Sequence, residues 1–314
     1  MSHLIYLNDQ YDDTEELNLS HMTILDMPHL KRFSCLRILN ISHNNIKRIN
    51  TLPPNLIKLI CSNNNLTTLP PLPDFLESLF CDHNQLKQLP KLPRWLTTLH
   101  CRYNRLNNLP KLNKYLKDLV CCFNNLNALP KLNDSLVELY CEHNQLTKLP
   151  KFPFTLVSLW CPYNQLIRLP AFNSNLEIVN CKHNQLIELP YLFNVTEMRC
   201  DHNEIRYAPY HINKDMILKI DNNPIQQELI PYYRINEKNQ INIVIIGREL
   251  DLFKILRALH RLRKCYSAGK IKALIDDYVW REIRRPKIEE KYSPANLIKE
   301  LEQNGGDIDM LDSW

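Results

Sequence analysis

Nearly the same letters return every twenty residues through most of this 314-residue chain, and few folds accept a sequence built that way. In the copy Leu79-Phe80-Cys81-Asp82-His83-Asn84-Gln85-Leu86-Lys87-Gln88-Leu89-Pro90 the fixed letters are Leu, Cys, Asn, Leu, Leu and Pro. Cys61, Cys81, Cys101, Cys121, Cys141, Cys161 and Cys181 stand at a constant spacing of twenty, and Cys200 comes one residue early. Three residues after them stand Asn64, Asn84, Asn104, Asn124, Asn144, Asn164, Asn184 and Asn203. A fixed period of this length means stacked structural repeats, each burying an apolar face against its neighbours.

The chemistry of one copy predicts its path. Leu-x-Cys alternates as a short strand does, so Leu79 and Cys81 are expected inside while Phe80 and Asp82 face solvent. Strands of successive copies then lie parallel. Asn84 comes where the chain turns away, and its amide can satisfy backbone groups of its own turn and of the next repeat, an asparagine ladder along the stack. Leu86 and Leu89 complete the interior, and Pro90 keeps the return path extended. Twenty residues leave no length for a helix.

Signature positions 19, 41, 61, 81, 101, 121, 141, 161, 181, 200 and 220 give eleven repeats. Residues 1–34 form an N-terminal cap with a degenerate repeat, in which Met22 stands where Asn is due; the regular array spans 35–230. All four glycines, Gly247, Gly269, Gly305 and Gly306, follow the repeats, and there the apolar spacing becomes helical. Residues 231–314 therefore read as a basic α-helical C-terminal cap with an acidic tail. The fold class is mainly β, a right-handed solenoid with an extended far side and a small helical end.

Composition closes several doors. An apolar content of 44% excludes a disordered chain, and a net charge of +5 is too small to imply nucleic acid by itself. The first residues, MSHLIYLNDQYDD, carry no basic segment followed by an apolar core, so no secretory signal is expected. No apolar run reaches the roughly 18 residues of a membrane span. The eleven cysteines are read as reduced thiols in a cytoplasmic protein.

The pattern LPxLxxxLxxLxCxxNxLxxLP, from Leu89-Pro90-Lys91-Leu92 to Leu109-Pro110, resembles the leucine-rich-repeat family, in the short bacterial-type class found in secreted effectors. The Asn, Ile and Lys bias and the stretch Tyr292-Ser293-Pro294-Ala295-Asn296-Leu297 are similar to leucine-rich-repeat proteins of giant DNA viruses. The resemblance implies a curved solenoid that binds protein on its concave strand face.

Candidate function lies in the letters that vary. Before the Cys column stand Phe80, His100, Tyr140 and Trp160, with Ile60, Val120, Asn180 and Arg199 at the same position. Two residues after it stand His83, Tyr103, Phe123, His143, Tyr163 and His183, with Asn63 and His202 at the ends. Strands about 4.8 Å apart would merge both columns into one aromatic, histidine-rich stripe, and solvent-facing aromatics mark a contact surface. Between them Asp82, Arg102, Glu142, Lys182 and Asp201 alternate in sign. That favours a protein or peptide partner, a host protein if the chain is viral, over a phosphate backbone.

No cofactor, metal or catalytic residue is expected. The Cys column is explained by packing, with Cys122 at an outward position as the one repeat thiol expected to react with solvent reagents. His183 and His202 fall on neighbouring rungs beside Asp201, and a three-ligand site would need closer convergence than that spacing suggests. There is no glycine-rich phosphate loop, and Cys265-Tyr266-Ser267 lacks the Cys-x-Asp of ubiquitin-ligase effectors. The chain therefore reads as a non-enzymatic, monomeric interaction scaffold. The alternative is nucleic-acid or anionic-surface binding through residues 254–287, which hold eleven Lys or Arg against three acids, 11 − 3 = +8.

Overall fold

The computed structural model describes residues 13–27, 30, 33–192, 194–206 and 216–225, with the backbone of two further short strands at 234–235 and 241–242. The chain divides into two units, 1–245 and 246–314. The expected helices, the basic stretch 254–287, Cys265 and the acidic tail lie outside the described residues.

Eleven three-residue strands run from β1 (Glu16–Asn18) to β11 (Ile217–Lys219), one per repeat, in a sheet whose order follows the sequence. All ten neighbouring pairs among them are parallel and in register; in β4 (Ser78–Phe80) and β5 (Thr98–His100), Ser78 faces Thr98, Leu79 faces Leu99 and Phe80 faces His100. The described residues contain no helix. Past residue 230 the sheet continues: β13 (Ile241–Asn242) pairs antiparallel with β11, and β12 (Arg234–Ile235) pairs with β13. These strands cover what would otherwise be an open parallel edge.

The core is one column of side chains per fixed letter. Leu79, Cys81 and Leu86 have no exposed surface, and the same holds for their counterparts from rung to rung as far as Ile205. The thiols donate onward: Cys81 Sγ–H points to the carbonyl of His100 at 3.4 Å, Cys121 to that of Tyr140 at 3.4 Å and Cys200 to that of Lys219 at 3.3 Å. A small apolar residue with a weak donor suits a site where strand backbones pass close by.

The asparagine ladder forms, with its direction reversed from the sequence expectation. Asn84 Nδ2 donates within its own turn to the carbonyls of Cys81 and Asp82, at 3.2 and 3.1 Å, and reaches back to that of Cys61 at 3.0 Å. Its Oδ1 accepts from the backbone N–H of Leu66 at 2.9 Å, again on the preceding rung. The side chain follows the bend back across the interior, so the linkage runs toward the N-terminus. Asn44 does the same for the cap: its Oδ1 accepts from the N–H groups of Met22 and Ile24, so the degenerate repeat borrows its neighbour's asparagine.

Asn124 holds four backbone groups, the carbonyls of Cys101, Cys121 and Cys122 and the N–H of Leu106. Asn124→Ala should lower the unfolding free energy by about 3 kcal/mol because several buried polar groups lose their partner. Exposed Asn125→Ala should stay within about 0.5 kcal/mol. Urea midpoints of the two variants at equal m-value check this.

Candidate functional site

The variable letters form two surfaces, because the chain leaves the strand before the second column. Each strand ends one residue before the signature position, and the residue two after it adopts a left-handed backbone: His83 (φ 51°), Tyr103 (52°), Phe123 (52°), His143 (50°), Tyr163 (54°), His183 (50°) and His202 (56°). No glycine fills any of these bends. Non-glycine residues pay about 1–2 kcal/mol there, and here the rings recover part of it by stacking. Centroids from His83 through Tyr103, Phe123, His143, Tyr163 and His183 to His202 are 4.1 to 4.3 Å apart, with planes within 20°. Ring contacts of this kind contribute about 0.5–1.5 kcal/mol each.

The expected single stripe is therefore corrected. His83, Tyr103, Phe123, His143, Tyr163 and His183 form a ladder whose faces are occupied by one another, leaving ring edges to solvent. Phe80, His100, Tyr140 and Trp160 lie on the strands, half-buried, with their outer surfaces free. Residues expected outward are enclosed: Asp82, between the columns, is 7% exposed, and Asn180, in the strand column, 3%. Asp82 Oδ1 accepts the backbone N–H of Arg102 at 2.9 Å, and burial raises its carboxyl above the ordinary 3.8 against the opposing pull of that N–H, of His100 and of Arg102.

On the strand face Phe80 meets His100 edge-on at 4.8 Å, and His100 Nε2 lies 2.7 Å from Asp118 Oδ2. The other oxygen, Asp118 Oδ1, is buried with no hydrogen-bond partner among the described residues. Tyr140 and Trp160 lie 6.1 Å apart at 23°. The Tyr140 hydroxyl donates to Glu138 at 3.2 Å, and Trp160 Nε1–H donates to Ser158 Oγ at 3.2 Å. Partial burial, then Glu138, raises the Tyr140 phenol above the ordinary 10.0. Arg199 lies 6.0 Å over the Trp160 ring. The result is a set of broad rings held in fixed orientation.

A third aromatic group escaped the sequence reading. Trp95 and Tyr115 stack at 5.1 Å in the turns that precede the strands, with Arg94 over Trp95 at 5.0 Å. Phe75 (59% exposed) and Trp95 border a groove of about 670 Å³ with Glu15, Arg37, Ile57 and Glu77. The signal available was Phe75, Trp95 and Tyr115 at a spacing of twenty, outside the motif's fixed letters.

Cys122 is not the reactive thiol its parity suggested. It is 3% exposed, and burial, with Glu142 adding to it, pushes it from the ordinary 9.0 up to about 12. Burial likewise pushes Cys61 up to about 12 and holds Cys81, Cys121, Cys141, Cys161, Cys181 and Cys200 well above 9.0. Among the described cysteines only Cys35 is exposed.

The histidines at the C-terminal end come closer than the sequence suggested. His183, Asp201 and His202 present ligand atoms all within 4.8 Å of one another. Burial and the neighbouring His202 lower the His183 imidazole below the ordinary 6.5.

These features define a leucine-rich-repeat solenoid: one short parallel strand per twenty-residue repeat, an aliphatic interior and a buried asparagine at each bend. Solved structures agree. YopM from Yersinia enterocolitica WA-314 is 32% identical over 63% of this chain and 44% of its own, with a TM-score of 0.61. YopM from Yersinia pestis, a leucine-rich effector protein, is 29% identical over 67% of this chain and 61% of its own, at 0.61. The functional domain of InlJ from Listeria monocytogenes, which includes a cysteine ladder, is 25% identical over 68% of this chain and 54% of its own, at 0.57. This chain thus spans about half the length of those proteins. No family model matches it, nor does any curated protein. The chain thus has the fold of the leucine-rich-repeat proteins, which generally serve as protein-interaction scaffolds. No helix of the described residues is long and apolar enough to cross a membrane.

Thiols that stay protonated when folded and ionise when unfolded make stability fall with alkali. The native state binds more protons than the unfolded one above pH 9, so the contribution is complete below 9 and is lost as pH rises toward the folded values. The loss is about 1.4 kcal/mol per pH unit for each fully buried thiol. The repeats should therefore unfold cooperatively between pH 9 and 12, as read by circular dichroism. At neutral pH iodoacetamide should modify Cys35 while sparing Cys122 and the Cys column, as read by peptide mass spectrometry.

Proposed function

We propose that this chain is a non-enzymatic scaffold that captures a protein or peptide on its strand face, centred on Tyr140 and Trp160 and extending to Phe80 and His100. The carrying observation is the pair of half-buried rings of Tyr140 and Trp160, whose polar atoms are tied to Glu138 and Ser158 so that the rings are presented with little entropy left to lose. Tyr and Trp so held are what dominates binding energy at protein interfaces. Acids and bases are mixed across the face, with Asp118 and Glu138 on strands between those of Lys58 and Arg199, which suits a polypeptide more than a nucleic-acid backbone. Buried thiols on successive rungs fit a reducing, cytoplasmic setting. In this reading the ladder residues His83, Tyr103, Phe123, His143, Tyr163 and His183 support the scaffold and offer the partner only their edges.

Capture from cell extract with the full chain, read by quantitative mass spectrometry, tests the reading. The double variant Tyr140→Ala, Trp160→Ala should lose its enriched partner, a drop of roughly thirtyfold or more in affinity. Tyr163→Phe, which keeps the ladder ring, should retain it. Full capture by the double variant, with its circular dichroism unchanged, would overturn the strand-face assignment.

A further inference from the structure

We propose that His183, Asp201 and His202 form a divalent-metal site of the zinc type at the C-terminal end of the ring ladder. Two imidazoles and one carboxylate are a donor set for zinc and the later first-row ions, whereas calcium and magnesium prefer oxygen donors throughout. One edge of the ligand triangle already has the right length. Asp201 Oδ2 lies 3.3 Å from His202 Nδ1, and a tetrahedral zinc sets neighbouring ligand atoms about 3.4 Å apart. The third atom, on His183, lies within 4.8 Å of both. Closing that vertex requires a shift on the order of 1.5 Å, by a ring turning about its own side-chain bonds.

The backbone beneath the site is fixed. His183 N–H donates to Asp201 O at 3.0 Å and His202 N–H to Asp221 O at 2.9 Å, and both histidines occupy the left-handed bend. A ligand set on such a base loses little freedom when the ion arrives. Asn222 lies 3.0 Å from His202 Nε2. With Nδ1 on the metal and its proton released to solvent, the Asn222 amide, turned over, can accept the Nε2–H and hold the ring in place. Charge also favours a cation. Asp221 follows Asp201 on the next rung, and the ammonium of Lys182 lies over Tyr163 at 5.7 Å, on the side facing the preceding rung.

The combination occurs at one place among the described rungs. His21 and His43 also stack, at 4.3 Å, but the intervening outward residue is Ser42. His83 has Tyr103 beside it, and His143 lies between Phe123 and Tyr163, so each supplies a lone imidazole. Three protein donors leave a fourth position open to water or to a carboxylate or imidazole brought by another molecule.

Zinc titration of the full chain by calorimetry, with cobalt absorption as a geometric readout, tests the site. Phenylalanine keeps the stacked ring and removes the ligand, so His183→Phe and His202→Phe separate coordination from folding; Asp201→Asn removes the carboxylate. The wild-type chain and His143→Phe should each bind one more equivalent of zinc than these three variants, and only they should show the intense visible band of tetrahedral cobalt from that equivalent. Unchanged stoichiometry in His183→Phe and His202→Phe, or no zinc uptake by the wild-type chain, would overturn the proposal.

Discussion

The left-handed bend two residues after each signature position is the constraint on which the rest of the structure depends. A strand places side chains on alternate sides, so Cys81 inside would leave Asn84, three residues on, outside. Both are buried, which requires the chain to break its alternation between them, and the φ of 51° at His83 is that break. Once the chain has bent, Asn84 points inward, its amide satisfies carbonyls on two rungs, and its Oδ1 anchors the N–H of Leu66. Without the bend there would be no asparagine ladder, and an aliphatic interior would contain unpaired backbone groups.

That same bend explains the chemistry of the ring column. Glycine would meet the backbone requirement at no steric cost but would bring nothing to the surface. Asn and His, which tolerate this conformation, occupy most of the bends, while Tyr103, Phe123 and Tyr163 occupy the rest. Stacking at 4.1 to 4.3 Å offsets the strain and excludes water from the edge of the asparagine ladder. Within the ladder each ring is stacked on its neighbours, in contrast to Tyr140 and Trp160, which meet more loosely at 6.1 Å on the strand face with Arg199 over Trp160.

The period made the strands, their parallel order, the interior columns and the buried asparagine legible from residue types alone. The bend was legible in principle, since an inward Cys and an inward Asn at an odd spacing are incompatible with one continuous strand. Continuing the strand through His83 instead merged two columns and sent Asp82 and Cys122 toward solvent. Their burial comes from the rings on either side, a property of packing between rungs that no single repeat reveals. The direction of the asparagine bonds and the Phe75–Trp95–Tyr115 group likewise depend on how the return path lies over its neighbours.

A repeat array with such regular columns carries its individuality in the irregular positions. Where a column holds the same type on every rung, as with Cys and Asn, each side chain is satisfied by its neighbours and has nothing left to offer a ligand. Where the column changes character, neighbours no longer match and polar capacity is left over. His183 and His202 meet as two like rings beside a carboxylate, where the other ring contacts between His83 and His183 each include a Tyr or Phe. Chemistry in this fold is thus expected at breaks in the column pattern, since a rigid ladder beneath each break holds the unmatched groups where a partner or an ion can reach them.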